Sequence, residues 1–97
     1  MELIIQTQGV KTLVVDDSQP NLLIAKGVLE RYGIAVTTAQ SGSEALELIK
    51  EQDFDLIILD CIMPQMDGHE TAVKIRELPG KKAKTSIVAY TSNDEPE

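Results

Sequence analysis

A chain of 97 residues is long enough for one small domain and no more. Hydrophobic residues make up 42% of it and aromatic residues only 3%, which excludes wholesale disorder and requires an aliphatic core. Nine basic against sixteen acidic residues leave a net charge of −7, which argues against nucleic-acid binding by this chain and fits a site that gathers carboxylates around a cation. Cys61 is the only cysteine, so no internal disulfide can form, as suits a reducing cytoplasm. No apolar run approaches the roughly 18 residues of a membrane-spanning helix, and no membrane partner is expected. The opening "MELIIQTQGVK" lacks the basic start and apolar length of a signal peptide.

In chain order, Leu3–Ile5 is either an extra strand or a frayed arm. Thr12–Val15, "TLVV", is a short apolar run that predicts a strand. "SQPNLLIAKGVLERYG" predicts a helix capped by Ser18, with Pro20 in its first turn and Gly33 ending it. Leu22, Ala25, Val28, Leu29 and Tyr32 recur at helical spacing and are expected to face inward. Ile34–Ala39 predicts a second strand. "SGSEALELIKEQ" predicts a second helix, with Ser41 and Glu44 at capping-box spacing and Ala45, Leu48 and Ile49 as its apolar face. Asp55–Asp60, "DLIILD", is apolar throughout its interior, as expected of a strand covered on both faces. "CIMPQMDG" reads as a loop. A third helix follows, with Asp67 as cap and Ala72, Ile75 and Leu78 inward, and Pro79-Gly80 stops it. Ile87–Tyr90 is the fourth strand. Strict βαβαβαβ alternation predicts an α/β fold with a parallel sheet and no internal domain boundary.

The polar residues at the strand ends carry the chemistry. Strand one runs into Asp16-Asp17, strand three ends in Asp60, and Thr91 follows strand four. In a parallel sheet these ends share one edge, the edge at which open α/β sheets bind ligands. Three converging carboxylates repel one another, and a divalent cation relieves the conflict. Oxygen donors without a His or Cys cluster suit Mg²⁺ or Mn²⁺ better than Zn²⁺. A carboxylate beside such an ion can act as the nucleophile in phosphoryl transfer, and a hydroxyl such as Thr91 can hydrogen-bond the phosphoryl group. The bland alternatives are that Asp16 or Asp17 only caps the first helix and that Asp60 is a loop carboxylate. Convergence favours the functional reading.

"LVVDDSQPN", "DLIILDCIMPQMDGHE" and "IVAYTS" resemble the three signature blocks of the receiver domain of two-component response regulators, in that family's order and spacing. The resemblance covers the chain from about Thr12 onward. It implies a flavodoxin-like α/β fold with strand order 2-1-3-4. It implies that Asp60 is the phosphoacceptor, taking a phosphoryl group from a histidine kinase or a histidine phosphotransfer domain. Asp17 would bind the metal directly, Asp16 mainly through water, and the backbone carbonyl of Ile62 would be a further ligand. Thr91 would be the switch hydroxyl, Ser92 the small residue that gives the phosphodonor access, and Met63-Pro64 and Gly68 would shape the loop. The output would be an altered protein-binding surface rather than turnover, so an enzyme is not expected.

The chain departs from the family where it stops after strand four. The family's fifth strand, with its phosphate-contacting lysine and aromatic switch residue, has no counterpart here. The expected organisation is a single receiver domain over 1–97, with 1–10 as an N-terminal arm and a truncation after strand four. Strand four would then be a bare edge available for self-association, beside uncovered apolar sheet surface. Lys81, Lys82 and Lys84 precede strand four, at the wrong edge to replace the lysine, and are expected to form a solvated loop. His69 is expected at the surface, Cys61 as a small buried thiol, and Met63 and Met66 as packing residues. The alternatives are a pseudo-receiver that binds partners without phosphorylation, an aspartate-nucleophile phosphatase and a flavodoxin. The phosphatase would need Asp-x-Asp where this chain has Asp16-Asp17-Ser18. The flavodoxin would need a phosphate loop where "DDSQPN" offers an anion only repulsion.

Overall fold

The computed structural model describes residues 9–60 and 68–90. Its elements are β1 (Lys11–Val15), α1 (Gln19–Glu30), β2 (Ala35–Ala39), α2 (Gly42–Glu51), β3 (Leu56–Asp60), α3 (Gly68–Arg76), a 3₁₀ turn (Gly80–Lys84) and β4 (Ser86–Tyr90). The strands form one sheet in the order β2-β1-β3-β4, and every pairing is parallel. Among the described residues no helix is long and apolar enough to cross a membrane.

Side-chain alternation divides β1 and β3 between two layers. Leu13 and Val15 of β1 and Ile57 and Leu59 of β3 join Ala45 and Ile49 of α2 and Ile75 of α3 in the main core. Thr12 and Val14 lie on the opposite face, where α1 packs against β1 and β2 and buries Leu22. The α1 layer covers only part of that face. Leu56 and Ile58 are half-buried, and Val88, which pairs with Ile58, is 51% exposed. The expectation that β3 is covered on both faces therefore holds only for its α2/α3 side.

The first helix corrects another expectation. Leu22 is buried, and Ala25 and Leu29 are half-buried, but Val28 is 47% exposed and Tyr32 is 66% exposed. Helical periodicity gives the direction of a stripe but not the width of the layer it meets. Tyr32 also lies beyond the last turn, which ends with Arg31 as cap. Gly33 then takes φ +79°, a left-handed conformation that glycine adopts without a Cβ clash.

The second helix starts as its sequence predicts, with Ser41 Oγ accepting from the Glu44 N–H at 3.0 Å. Glu44 reaches back one residue further than in a standard capping box, to the Gln40 N–H at 2.9 Å. The basic stretch after α3 is a 3₁₀ turn rather than an open loop. Lys82 is not merely solvated: its Nζ donates to the Gln52 carbonyl at 3.1 Å and to Asp53 Oδ1 at 2.9 Å. It thus places positive charge at the carbonyl end of α2 and ties the approach to β4 to the approach to β3. Beside it, the Lys11 N–H donates to Asp55 Oδ2 at 2.9 Å. Leu3–Ile5, Cys61, Met63, Met66 and Asp67 lie outside the described residues.

Among the described residues, one buried side-chain polar atom has no hydrogen-bond partner: Thr12 Oγ1, on a fully buried residue beneath α1. An unsatisfied buried hydroxyl is destabilising, and an apolar group of the same shape avoids that penalty. Thr12→Val should therefore raise stability by up to about 1 kcal/mol in urea unfolding. A loss of that size would show that the hydroxyl has a partner in solution.

Candidate cation and phosphoacceptor site

Register builds the site. Val14 of β1 pairs with Ile58 of β3, so two residues further on Asp16 stands level with Asp60 on the neighbouring strand. Both lie on the α1 face, and both are fully buried. Asp17, the next residue, is exposed. One carboxylate oxygen from each of Asp16, Asp17 and Asp60 lies within 4.8 Å of the other two. The structure thus brings together the three carboxylates that the sequence singled out. Ile62, Thr91 and Ser92, together with Met63 and Pro64, lie outside the described residues. His69 and Gly68 fall in the first turn of α3.

Several hydrogen bonds fix Asp16. Its backbone N–H donates to the Ala39 carbonyl at 3.0 Å, which anchors it to the end of β2. Its Oδ1 accepts from the Ser18 N–H at 2.8 Å, and its Oδ2 accepts from Asn21 Nδ2 at 3.3 Å. Ser18 caps α1 by accepting from the Asn21 N–H at 3.3 Å. Sequence reasoning passed over Asn21. The available signal was an amide three residues after a helix cap that itself follows an acidic pair.

An all-oxygen cluster with two buried members and one exposed member suits a hard divalent cation that keeps part of its water shell. The donor set fits Mg²⁺ or Mn²⁺ and lacks the nitrogen or sulfur ligands that favour zinc. Two clefts among the described residues lie elsewhere. One, of about 240 Å³, is lined by residues such as Asp53, Lys82 and Ser86 at the opposite strand edge. The other, of about 320 Å³, lies between α1, β2 and the start of α2. Neither is lined by the three carboxylates.

Comparison with known proteins agrees with this geometry. Residues 12–97 match the family model described as "Response regulator receiver domain". The chain belongs to the response regulator receiver domain family. The receiver domain is 45% identical over 74 residues to a probable histidine kinase 4 of Oryza sativa, covering 75% of this chain and 7% of that protein. It is 41% identical over 86 residues to the autoinducer 2 sensor kinase/phosphatase LuxQ of Vibrio vulnificus, covering 89% of this chain and 10% of that protein. The chain therefore spans a tenth or less of these curated relatives. Among solved structures, the N-terminal domain of a receiver protein from Methanoculleus marisnigri superposes with a TM-score of 0.83 at 34% identity, covering 92% of this chain and 72% of that one. The receiver domain of the Arabidopsis thaliana histidine kinase CKI1, complexed with Mg²⁺ and BeF₃⁻, superposes with a TM-score of 0.81 at 34% identity, covering 93% and 70%. These similarities bear out the expected fold class and strand order and the family read from the sequence.

Neutralising one buried carboxylate should relieve repulsion when no cation is present. Asp60→Asn is expected to raise metal-free stability by about 1 kcal/mol, measured by thermal unfolding in chelator. At a hundred times its dissociation constant, Mg²⁺ should stabilise the native chain by about 2.7 kcal/mol. It should stabilise Asp60→Asn by less than about 1 kcal/mol. Equal stabilisation of the two would count against Asp60 as a ligand.

Proposed function

We propose that this receiver domain accepts a phosphoryl group on Asp60 from a phosphohistidine donor, either a histidine kinase or a histidine phosphotransfer domain. The observation that carries the reading is the burial of Asp60 at the end of β3, with an oxygen within 4.8 Å of oxygens of Asp16 and Asp17. Asp16, Asp17 and Asp60 would hold the cation, with the Ile62 carbonyl as a further ligand. Mg²⁺ is the ion of choice because the CKI1 receiver was solved with Mg²⁺ and BeF₃⁻, and the response regulator TrrA of Thermotoga maritima with Mg²⁺-BeF. Mn²⁺ suits the same oxygen donors.

In the transfer, a carboxylate oxygen of Asp60 forms the new P–O bond as the P–N bond to the donor imidazole breaks. The imidazole leaves with its electron pair and takes up a proton. A cation held by Asp16, Asp17 and Asp60 would supply charge neutralisation for the phosphoryl oxygens. Burial holds the Asp60 nucleophile at the strand end, so little side-chain freedom is lost on reaction. The Thr91 hydroxyl, one residue past the Tyr90 that pairs with Asp60, would then hydrogen-bond the phosphoryl group. The consequence is a changed protein-binding surface, as in a phosphorelay. Similarity to the hybrid signal transduction histidine kinase B of Dictyostelium discoideum, 40% over 93 residues, supports a role within or beside a hybrid kinase.

Acetyl phosphate with Mg²⁺, read by intact mass on the full chain, tests the assignment. The expected result is a gain of one phosphoryl group that is absent without the cation and absent in Asp60→Asn. A phosphoryl group still gained by Asp60→Asn would place the acceptor elsewhere.

A further inference from the structure

We propose that Asn21 is a positioning residue of the cation site, holding the Asp16 carboxylate in place beside Asp17 and Asp60 through its side-chain amide. The inference rests on the reading of these carboxylates as a Mg²⁺ site.

Geometry supports it first. The terminal torsion of an aspartate is broad, so one donor can pin one oxygen and still leave the carboxylate plane loose. Asp16 has a donor on each oxygen: the Ser18 N–H on Oδ1 at 2.8 Å and Asn21 Nδ2 on Oδ2 at 3.3 Å. The first is backbone and comes with the chain path. The second depends on the side chain at position 21 and holds the other oxygen of a fully buried group.

The choice of side chain supports it next. Asn21 lies three residues after the cap Ser18, at the position where a capping box carries Glu or Gln reaching back to the cap's own N–H. Here Asp16 already accepts from that N–H, so an acidic residue at 21 has no helix end to satisfy. It would instead aim a further carboxylate at Asp16. A lysine or arginine would hold Asp16 but cancel the charge that attracts the cation. A neutral donor holds the carboxylate and leaves its charge intact. In the same way, partners behind metal ligands commonly set affinity without touching the ion.

Mg²⁺ titration by calorimetry on the full chain tests the proposal, using two substitutions of similar shape. Asn21→Leu removes the donor and should weaken Mg²⁺ binding by about tenfold or more. Asn21→Asp should lower the unfolding temperature of the metal-free chain and enlarge the rise that Mg²⁺ produces, because the ion then screens an added like charge. A helix-capping role alone would not move the Mg²⁺ response in opposite directions for the two variants. In an Asp16→Asn background, Asn21→Leu should change Mg²⁺ affinity by less than about twofold, since its effect runs through that carboxylate. Native affinity in Asn21→Leu, or an undiminished effect in the Asp16→Asn background, would overturn the inference while leaving the cation site standing. A native chain that binds no Mg²⁺ would overturn the cation-site reading and this inference with it.

Discussion

Two buried aspartates level with each other on adjacent parallel strands set the terms for the rest of this molecule. Asp16 and Asp60 are brought together by the same β1–β3 pairing that builds the core, so neither can retreat without shifting the register of a buried strand. Two like charges held this close repel each other. A domain of this size has little stability to spare. The aliphatic side chains of β1 and β3, buried on the α2/α3 face, are what hold the two charges in place. The repulsion is also what makes the edge receptive, because a cation placed there gains most where like charges are fixed closest.

The two edges of the sheet handle charge differently. At the edge where the strands begin, Lys82 meets Asp53 and the carbonyl end of α2, and Asp55 is tied to the start of β1. Charge there is paired and serves the fold. At the edge where the strands end, Asp16 is held by neutral donors, the Ser18 N–H and the Asn21 amide, which orient it without discharging it. The first turn of α1 carries no acidic side chain of its own. The acid that a helix N-terminus favours is instead supplied from just before the helix, so the start of α1 and Asp16 form one hydrogen-bonded unit.

Much of this was legible in the sequence, for identifiable reasons. Short aliphatic runs alternating with helical periodicity leave a parallel α/β sheet as the simplest solution, and parallel strands put Asp16, Asp17 and Asp60 at one edge whatever the detail. What escaped were features without a repeating signal. Val28 and Tyr32 share the spacing of Leu22, yet the layer beneath them is too narrow to bury them. Lys82 sits in a basic stretch whose only sequence cue is charge, and its partners lie thirty and twenty-nine residues away. Asn21 resembles any polar residue of a first turn until the position of Asp16 is known. The Ile62 and Thr91 assignments fall outside the described residues; Ile62 rests on family resemblance alone, and Thr91 on that resemblance and its place just after strand four.

The same register bears on which strand would yield in the proposed phosphorylation of Asp60. β1 is paired on both sides and buried on both faces, so displacing it would disturb the core. β4 pairs only with β3 among the described strands, and its Val88 is half-exposed. Its last residue, Tyr90, pairs directly with Asp60. Elements with fewer buried contacts open at lower free energy, so the proposed phosphorylation of Asp60 would act most readily on the end of β4. Among the described strands, a site built on β1 and β3 thus borders the more exposed β4. In the proposed reaction that arrangement would let the cluster keep its geometry while a neighbouring surface changes.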